Sequence, residues 1–298
     1  MIAEMLAAQE QAVGEVLKKH VPATKRAGFG RWCLALSNGE TFRVSARIED
    51  PWLVMEAPLG AKNRAPAGPE RNWDLVRWNA RLPGGAKFVL PPGSRTPRVR
   101  AEVLADQNPD LEPQIHGAVE GIRAAHRRIA CDQIEQQDAG PGPRPADEPR
   151  PCDLEGICRD AGWELVRRPS GRMAVALDAP GAVHQAILDL RKDGRLAVSV
   201  EIAALPSPAA ATRQAVGLML LRASGLVRMA RGAVEETDGR TEARFEVVFD
   251  VPPAGAQTVH DALAALSVAC RTCGRQEVEA MQAEACARKY LSLRGWSS

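Results

Sequence analysis

The sequence predicts an α+β protein made of two tandem copies of one unit, each running helix, three strands, helix, two strands, helix around a mostly antiparallel sheet. Two observations predict it. The second half repeats the apolar pattern of the first, and hydrophobic periods of 3.6 and 2 alternate in the same order within each half. Moved back by 144 positions, Val259 falls on Ile115, Leu263 on Val119, Leu266 on Ile122, Ala269 on Ala125 and Cys273 on Ile129. The register continues upstream, with Met219 on Leu75, Leu226 on Leu82, Arg244-Phe-Glu246-Val247 on Arg100-Ala-Glu102-Val103, Leu196 on Trp52 and Val198 on Val54. Further upstream the offset is 141, matching Gly171-Arg172 with Gly30-Arg31 and Ala176-Leu177 with Ala35-Leu36. Leu154 and Ile157 then fall on Val13 and Val16.

The opening helix of each unit, about 3–20 and 152–162, carries apolar residues at helical spacing. Strands follow at Arg31–Leu36, Glu40–Ile48 and Trp52–Ala57, with Phe42, Val44 and Ala46 alternating. Ser37-Asn38-Gly39, Lys192-Asp193-Gly194 and Asp238-Gly239 carry tight-hairpin signals. The second helix covers Asn72–Arg81 in one unit and Ala211–Ser224 in the other. The last strand pairs are Ala86–Leu90 with Arg98–Leu104, and Arg228–Glu235 with Thr241–Asp250. A long helix closes each unit, about 109–136 and 255–291. Residues 137–151, QDAGPGPRPADEPRP, lack apolar periodicity and read as a linker between units 1–136 and 152–298. A flexible linker of that length spans roughly 20 Å, which permits two separate beads or a closed pair. The closed intrachain pseudo-dimer, a monomer acting as a dimer, is the expected arrangement.

Composition narrows the function classes. Lys and Arg total 39 against 37 Asp and Glu, so no whole-protein field points to nucleic acid or a membrane surface. No apolar run is long enough for a transmembrane helix, and the N-terminal segment lacks a signal-peptide layout. Seven cysteines without a small-domain framework fit a reducing cytoplasm. Cys270-Arg-Thr-Cys273 continues the stripe of Val259, Leu263 and Leu266, so the thiols are expected in the core. With no partner motif elsewhere, no metal or other cofactor is expected. Leu82-Pro-Gly-Gly-Ala86 runs from helix to strand and reads as a helix stop, not a phosphate loop. His116 and His260 share a repeat position but lack a nucleophile or carboxylate partner. Arg100/Glu102 and Arg244/Glu246 share a strand face and read as cross-strand surface pairs. No catalytic constellation is expected.

The element order, Leu75-Val-Arg-Trp-Asn79 and Leu218-Met-Leu-Leu-Arg222 each running into a hairpin, and the terminal helices 111–129 and 259–281 together resemble the type III secretion chaperone-like fold, including its YbjN-like branch. The resemblance covers nearly the whole chain, twice. It implies a small non-enzymatic protein that binds partly unfolded segments of partner polypeptides along its sheet and first helix. The sequence pI of 8.2 departs from the usual acidic character of secretion chaperones.

Two local asymmetries nominate binding residues. Leu53 and Met55 align with Ala197 and Ser199, so that face of the third strand is either an open apolar patch or covered by a helix or the other half. Between 62 and 100 lie Lys62, Arg64, Arg71, Arg77, Arg81, Lys87, Arg95, Arg98 and Arg100, with Trp73 and Trp78 interleaved. This basic Trp/Arg segment reads as a solvated face, an interface for an acidic protein segment, or a clamp for nucleic acid. Leu53, Met55, Trp73, Arg77, Trp78 and Arg81 are the candidate partner contacts. The expected function is a protein-binding chaperone or adaptor, with nucleic-acid binding through 62–100 as the alternative.

Overall fold

A computed structural model describes residues 2–38, 40–49, 51–59, 71–105, 111–131, 153–160, 162–167, 172–179, 182–190, 195–237, 239–249 and 256–296. The linker 137–151, Lys62, Arg64 and the hairpin positions Gly39, Lys192-Asp193-Gly194 and Asp238 lie outside these residues.

Helix α1 (Ile2–His20) buries Val13 and Leu17 on one stripe and ends in Lys18, Lys19 and His20, where cations favour the helix C-terminus. It is followed by β1 (Lys25–Gly28), β2 (Arg31–Asn38), β3 (Glu40–Glu49), β4 (Trp52–Pro58), α2 (Arg71–Asn79), β5 (Lys87–Val89), β6 (Arg98–Leu104) and α3 (Leu111–Cys131). The second half runs α4 (Leu154–Asp160), β7 (Leu165–Arg167), β8 (Met173–Ala179), β9 (Ala182–Leu190), β10 (Leu196–Ala204), α5 (Ala210–Leu226), β11 (Arg231–Thr237), β12 (Arg240–Phe249), α6 (Ala256–Thr272), α7 (Arg275–Ala280) and α8 (Glu284–Leu293). The protein is α+β with two six-stranded antiparallel sheets, ordered β1-β2-β3-β4-β6-β5 and β7-β8-β9-β10-β12-β11. The two orders are the same topology, so the repeat read in sequence is a repeat of fold.

The structure departs from the expected unit in four places. A short strand, β1 or β7, precedes the expected three in each half. Every residue of β1 is exposed, so it carries no burial pattern to betray it. The single closing helix expected over 255–291 is three helices. Gly274 starts α7, its N–H bonding Glu277 at 3.0 Å, and a turn at 281–283 starts α8.

The third departure is a register slip. In β4, Leu53 pairs Val103 and Met55 pairs Ala101, whereas in β10 Val198 pairs Val247 and Val200 pairs Phe245. Leu53 and Met55 are therefore counterparts of Val198 and Val200, not of Ala197 and Ser199. They face the helix-covered core, and both are completely buried. A one-residue shift exchanges the faces of a strand. The fourth departure concerns Arg100/Glu102 and Arg244/Glu246. Each pair shares a strand face as expected, but Glu102 is buried against Arg228 of the second half and Glu246 is buried in an ion pair with Arg231, rather than displayed at the surface.

The halves meet through reciprocal contacts. Helix α2 packs against α5 and across β11 of the second half, while α5 lies over β5 of the first. Such exchange is what an isologous interface looks like when both partners belong to one chain. Lys87 and Arg231, 144 positions apart, lie at its centre. The Lys87 ammonium pairs with Glu102 at 2.8 Å and donates to the carbonyls of Val227 (2.7 Å) and Ala230 (3.1 Å) in the second half. Arg231 pairs with Glu246 at 2.8 Å and donates to the carbonyls of Leu82 and Ala86 in the first, both at 2.8 Å. Both cations are buried. Gly85 and Met229, also 144 apart, share a left-handed backbone at φ 64° and 59°. Glycine meets that conformation without strain, and Met229 is held in it by donating its N–H to Glu102 at 2.8 Å.

Candidate functional site

The six sequence-nominated residues do not form one surface. Leu53 and Met55 lie inside the core of the first half. Trp73 is buried on α2, beside the helix crossing where Gly217 admits the Asn72–Trp73 backbone. A Cβ at 217 would stand 2.8 Å from the Asn72 carbonyl carbon. Trp78 is partly buried, its ring 6.0 Å from Phe88, with the Arg128 guanidinium 5.7 Å from its centroid. Arg77 is exposed and ties the halves through Glu236 at 3.1 Å, and Arg81 is exposed.

The basic segment is divided for the same reason. Within it, Lys87 and Arg100 are buried in ion pairs, Arg100 bonding Glu56 at 2.6 Å and the Gly225 carbonyl at 2.9 Å. Cations committed to fixed internal partners are not available to phosphates. Of the basic residues in this stretch, Lys87 and Arg100 are therefore engaged inside the protein, while Arg77 and Arg81 are exposed.

Electrostatics at the interface follow from this burial. Desolvation pulls the Lys87 ammonium below its ordinary range, against the attraction of Glu102. Burial opposes charge on Glu102, yet Lys87 and Arg100 hold its carboxyl below the usual carboxylate range. Glu56 behaves alike, with burial outweighed by Arg100 and Arg47. Arg228 pairs with Glu102 at 3.0 Å and also bonds Glu49, joining the first sheet to the second half. This network holds the halves together. Its carboxylates are engaged, so it presents no free acid or base.

Cys270 and Cys273 do not supply one either. Burial pushes the Cys270 thiol up to about 11 and the Cys273 thiol up to about 12, the latter raised further by Glu277 and Cys270. Both are therefore protonated thiols of low nucleophilicity at neutral pH. Among the described residues, no group of three or more His, Cys, Asp or Glu side chains could hold a metal ion. His116 lies with its ring centroid 4.8 Å from that of His20, and His260 lies 5.8 Å from Trp163. The two repeat-matched histidines are in different settings and do not converge on one site.

Open concavities lie elsewhere on the described residues. The first, about 590 Å³, lies between the halves. The first half contributes Leu90 and the Pro91-Pro92-Gly93 turn. The second contributes Met219, Ala223 and Leu226 from α5, Tyr290 from α8, and Arg222, Arg294 and Glu277 around them. Leu226 is 61% exposed, so part of the groove's apolar lining is open to solvent. The second, about 570 Å³, lies on the outer face of the first sheet, with Arg31, Arg43, Arg47 and Arg98 around Cys33, Ser45 and Glu56.

Sequence reasoning missed both surfaces. The groove is assembled from segments far apart in the chain, and only its Pro-Pro-Gly turn is locally conspicuous. The arginine face had a usable signal. Arg43-Val-Ser45-Ala-Arg47 places two arginines on one side of a strand, and the preceding hairpin strand begins at Arg31. No helix among the described residues is long and apolar enough to cross a membrane. No protein-family model matches the chain, and no curated protein matches its sequence.

Proposed function

We propose that the protein is a non-enzymatic binding module, a chaperone-like holder or adaptor for a partner polypeptide, working as a single-chain pseudo-dimer in the cytoplasm. The observation that carries this reading is the groove between the halves. Its apolar floor of Met219, Ala223, Leu226 and Tyr290, within a rim of Arg222, Arg294 and Glu277, has the composition of a protein contact: an apolar centre with charges at the edge. Methionine suits side chains of varied shape because its unbranched thioether repacks easily, and Leu226 adds exposed apolar surface beside it. At about 590 Å³ the groove has room for a few side chains of a partner segment and is smaller than a domain interface. The likeness of the repeated unit to the type III secretion chaperone-like fold, whose members hold polypeptide segments, supports the same reading.

Site-specific photocrosslinking tests it. A crosslinking residue at Leu226 captures discrete polypeptides in the native cells, whereas one at Gln257, exposed at the start of α6 and away from the groove, does not. Leu226→Asp abolishes association with those polypeptides without lowering the melting temperature, since the side chain is exposed. Equal labelling from both positions, or none from Leu226, contradicts the reading.

A further inference from the structure

We infer that the outer face of the first sheet is a docking trough for an acidic, extended polypeptide segment. The inference rests on the reading of the chain as a protein-binding module but uses residues separate from the groove. Alternation places Arg31 and Cys33 of β2, Arg43, Ser45 and Arg47 of β3, Glu56 of β4 and Arg98 of β6 on one face. Arg31 stands directly opposite Arg47 in the ladder. Like charges directly opposed on a sheet are destabilising, and an anion lying between them reverses the sign.

The carboxylates at hand are already committed. Glu56 serves Arg100 at 2.6 Å, Arg47 at 3.2 Å and Arg98 at 3.5 Å, while Glu49 is held by Arg47 and Arg228. Arg31 and Arg43 make no ion pair among the described residues. Four guanidinium groups thus line the trough, with Glu56 as the one carboxylate among its lining residues.

The second half serves as an internal control. On the same face of its sheet, Gln185 stands where the first half has Arg43 and Asp189 where it has Arg47, and Asp189 pairs at 3.5 Å with Arg172, the counterpart of Arg31. The shared fold therefore does not require a basic face: the second half keeps one of these arginines and neutralises it, and the excess of positive charge belongs to the first half.

Geometry selects the occupant. From β2 through β3 and β4 to β6 is three strand spacings, about 14 Å, the reach of roughly four extended residues. Carboxylates on alternate residues of such a segment stand about 7 Å apart on one side and can each meet a guanidinium in bidentate fashion. The floor is small, Ala27, Cys33 and Ser45, which leaves room for that approach. Trp32 is the only aromatic residue in the lining, and it is buried with its ring in the core. No stacking platform is therefore offered to bases, which favours an acidic peptide over single-stranded nucleic acid.

Fluorescence anisotropy with the full chain tests this, using a labelled peptide of about eight residues alternating Glu and Ser, and a labelled oligothymidylate of similar length. The expected result is peptide binding that weakens about tenfold as salt rises from about 50 to about 300 mM. Affinity falls a further tenfold or more in Arg31→Ser/Arg43→Ser, whose melting temperature is unchanged because both side chains are exposed. Tighter binding of the oligonucleotide through the same two arginines overturns the choice of occupant. Binding of neither probe overturns the trough. Peptide binding that persists in Leu226→Asp, or Leu226 crosslinks that persist in the double arginine variant, separates the fate of this inference from that of the groove.

Discussion

Replacing Lys87 by Met tests how the halves are held. The ammonium is fully buried, pairs with Glu102 at 2.8 Å, and donates to the Val227 and Ala230 carbonyls at 2.7 and 3.1 Å. Methionine conserves much of the volume, so the loss is electrostatic. Breaking a buried ion pair by removing one partner costs about 3–5 kcal/mol, because the other charge stays buried without compensation. Glu102 here keeps Arg228 at 3.0 Å and the Met229 N–H at 2.8 Å, which places the cost toward the lower end of that range. The two carbonyls left without their donor add about 1 kcal/mol each or somewhat less. The sum is about 4 kcal/mol, close to a thousandfold in the unfolding equilibrium. Equilibrium urea unfolding followed by tryptophan fluorescence reads it directly, since Trp73 lies buried on a helix of the same interface. The double variant Lys87→Met/Glu102→Leu should cost less than the sum of its two single variants, because the ion pair is lost once instead of twice, while Arg228 and the Met229 N–H still lose Glu102. A cost below about 1 kcal/mol for the single variant, or strict additivity in the double, refutes the interface as an interdependent charge network.

Leu53→Ser and Met55→Ser each destabilise by roughly 3–5 kcal/mol, because each leaves a core cavity and a buried hydroxyl; thermal melts check this, and an unchanged midpoint contradicts the burial. Acid weakens the fold in two stages. His126, stacked on Phe42, is pushed by burial down to about 4 from 6.5, so the unfolded chain takes its proton first and stability falls as pH drops from 6.5 to about 4. Glu49, Glu56 and Glu102 lie below 4.5 in the fold, so their contribution is present above 4.5 and is lost as pH falls through their folded values. His126→Phe should flatten the first stage and leave the second, as urea midpoints measured against pH will show. In thiol labelling at about pH 8, exposed Cys286 reacts readily while Cys270 and Cys273 are spared until the chain unfolds; mass spectrometry of labelled peptides distinguishes them.

The repeat, the element order and the antiparallel sheets were legible because they rest on apolar spacing, which survives divergence. The face of β4 was not. Trp52, Leu53, Val54 and Met55 are all apolar, so alternation cannot choose a side, and a gapless alignment passed over the single-residue slip that decides it. Lys87 was equally opaque. A lysine in a short strand reads as solvated until the carbonyls of Val227 and Ala230 arrive from the other half. The break at Gly274 was obscured because Val278 and Met281 continue the apolar rhythm of the preceding helix while belonging to a new one and its end. Surfaces fared worst. Both the groove and the trough gather residues distant in sequence, and an interior-seeking pattern is silent about which exposed residues converge.

Trp73 and Gly217 occupy matched positions in the two halves, one bulky and one bare, at the same helix crossing. Two separate identical chains could not adopt that division of labour: both copies would carry indoles, or both would lack a side chain there. Fusion lifts the requirement that every interface residue suit two settings at once. It also makes pairing independent of concentration, since the second half arrives tethered and dilution cannot part them. An unfused pair would present two copies of any docking face and saturate at two ligands. This chain, having left its arginine face unneutralised on one side alone, should saturate at one.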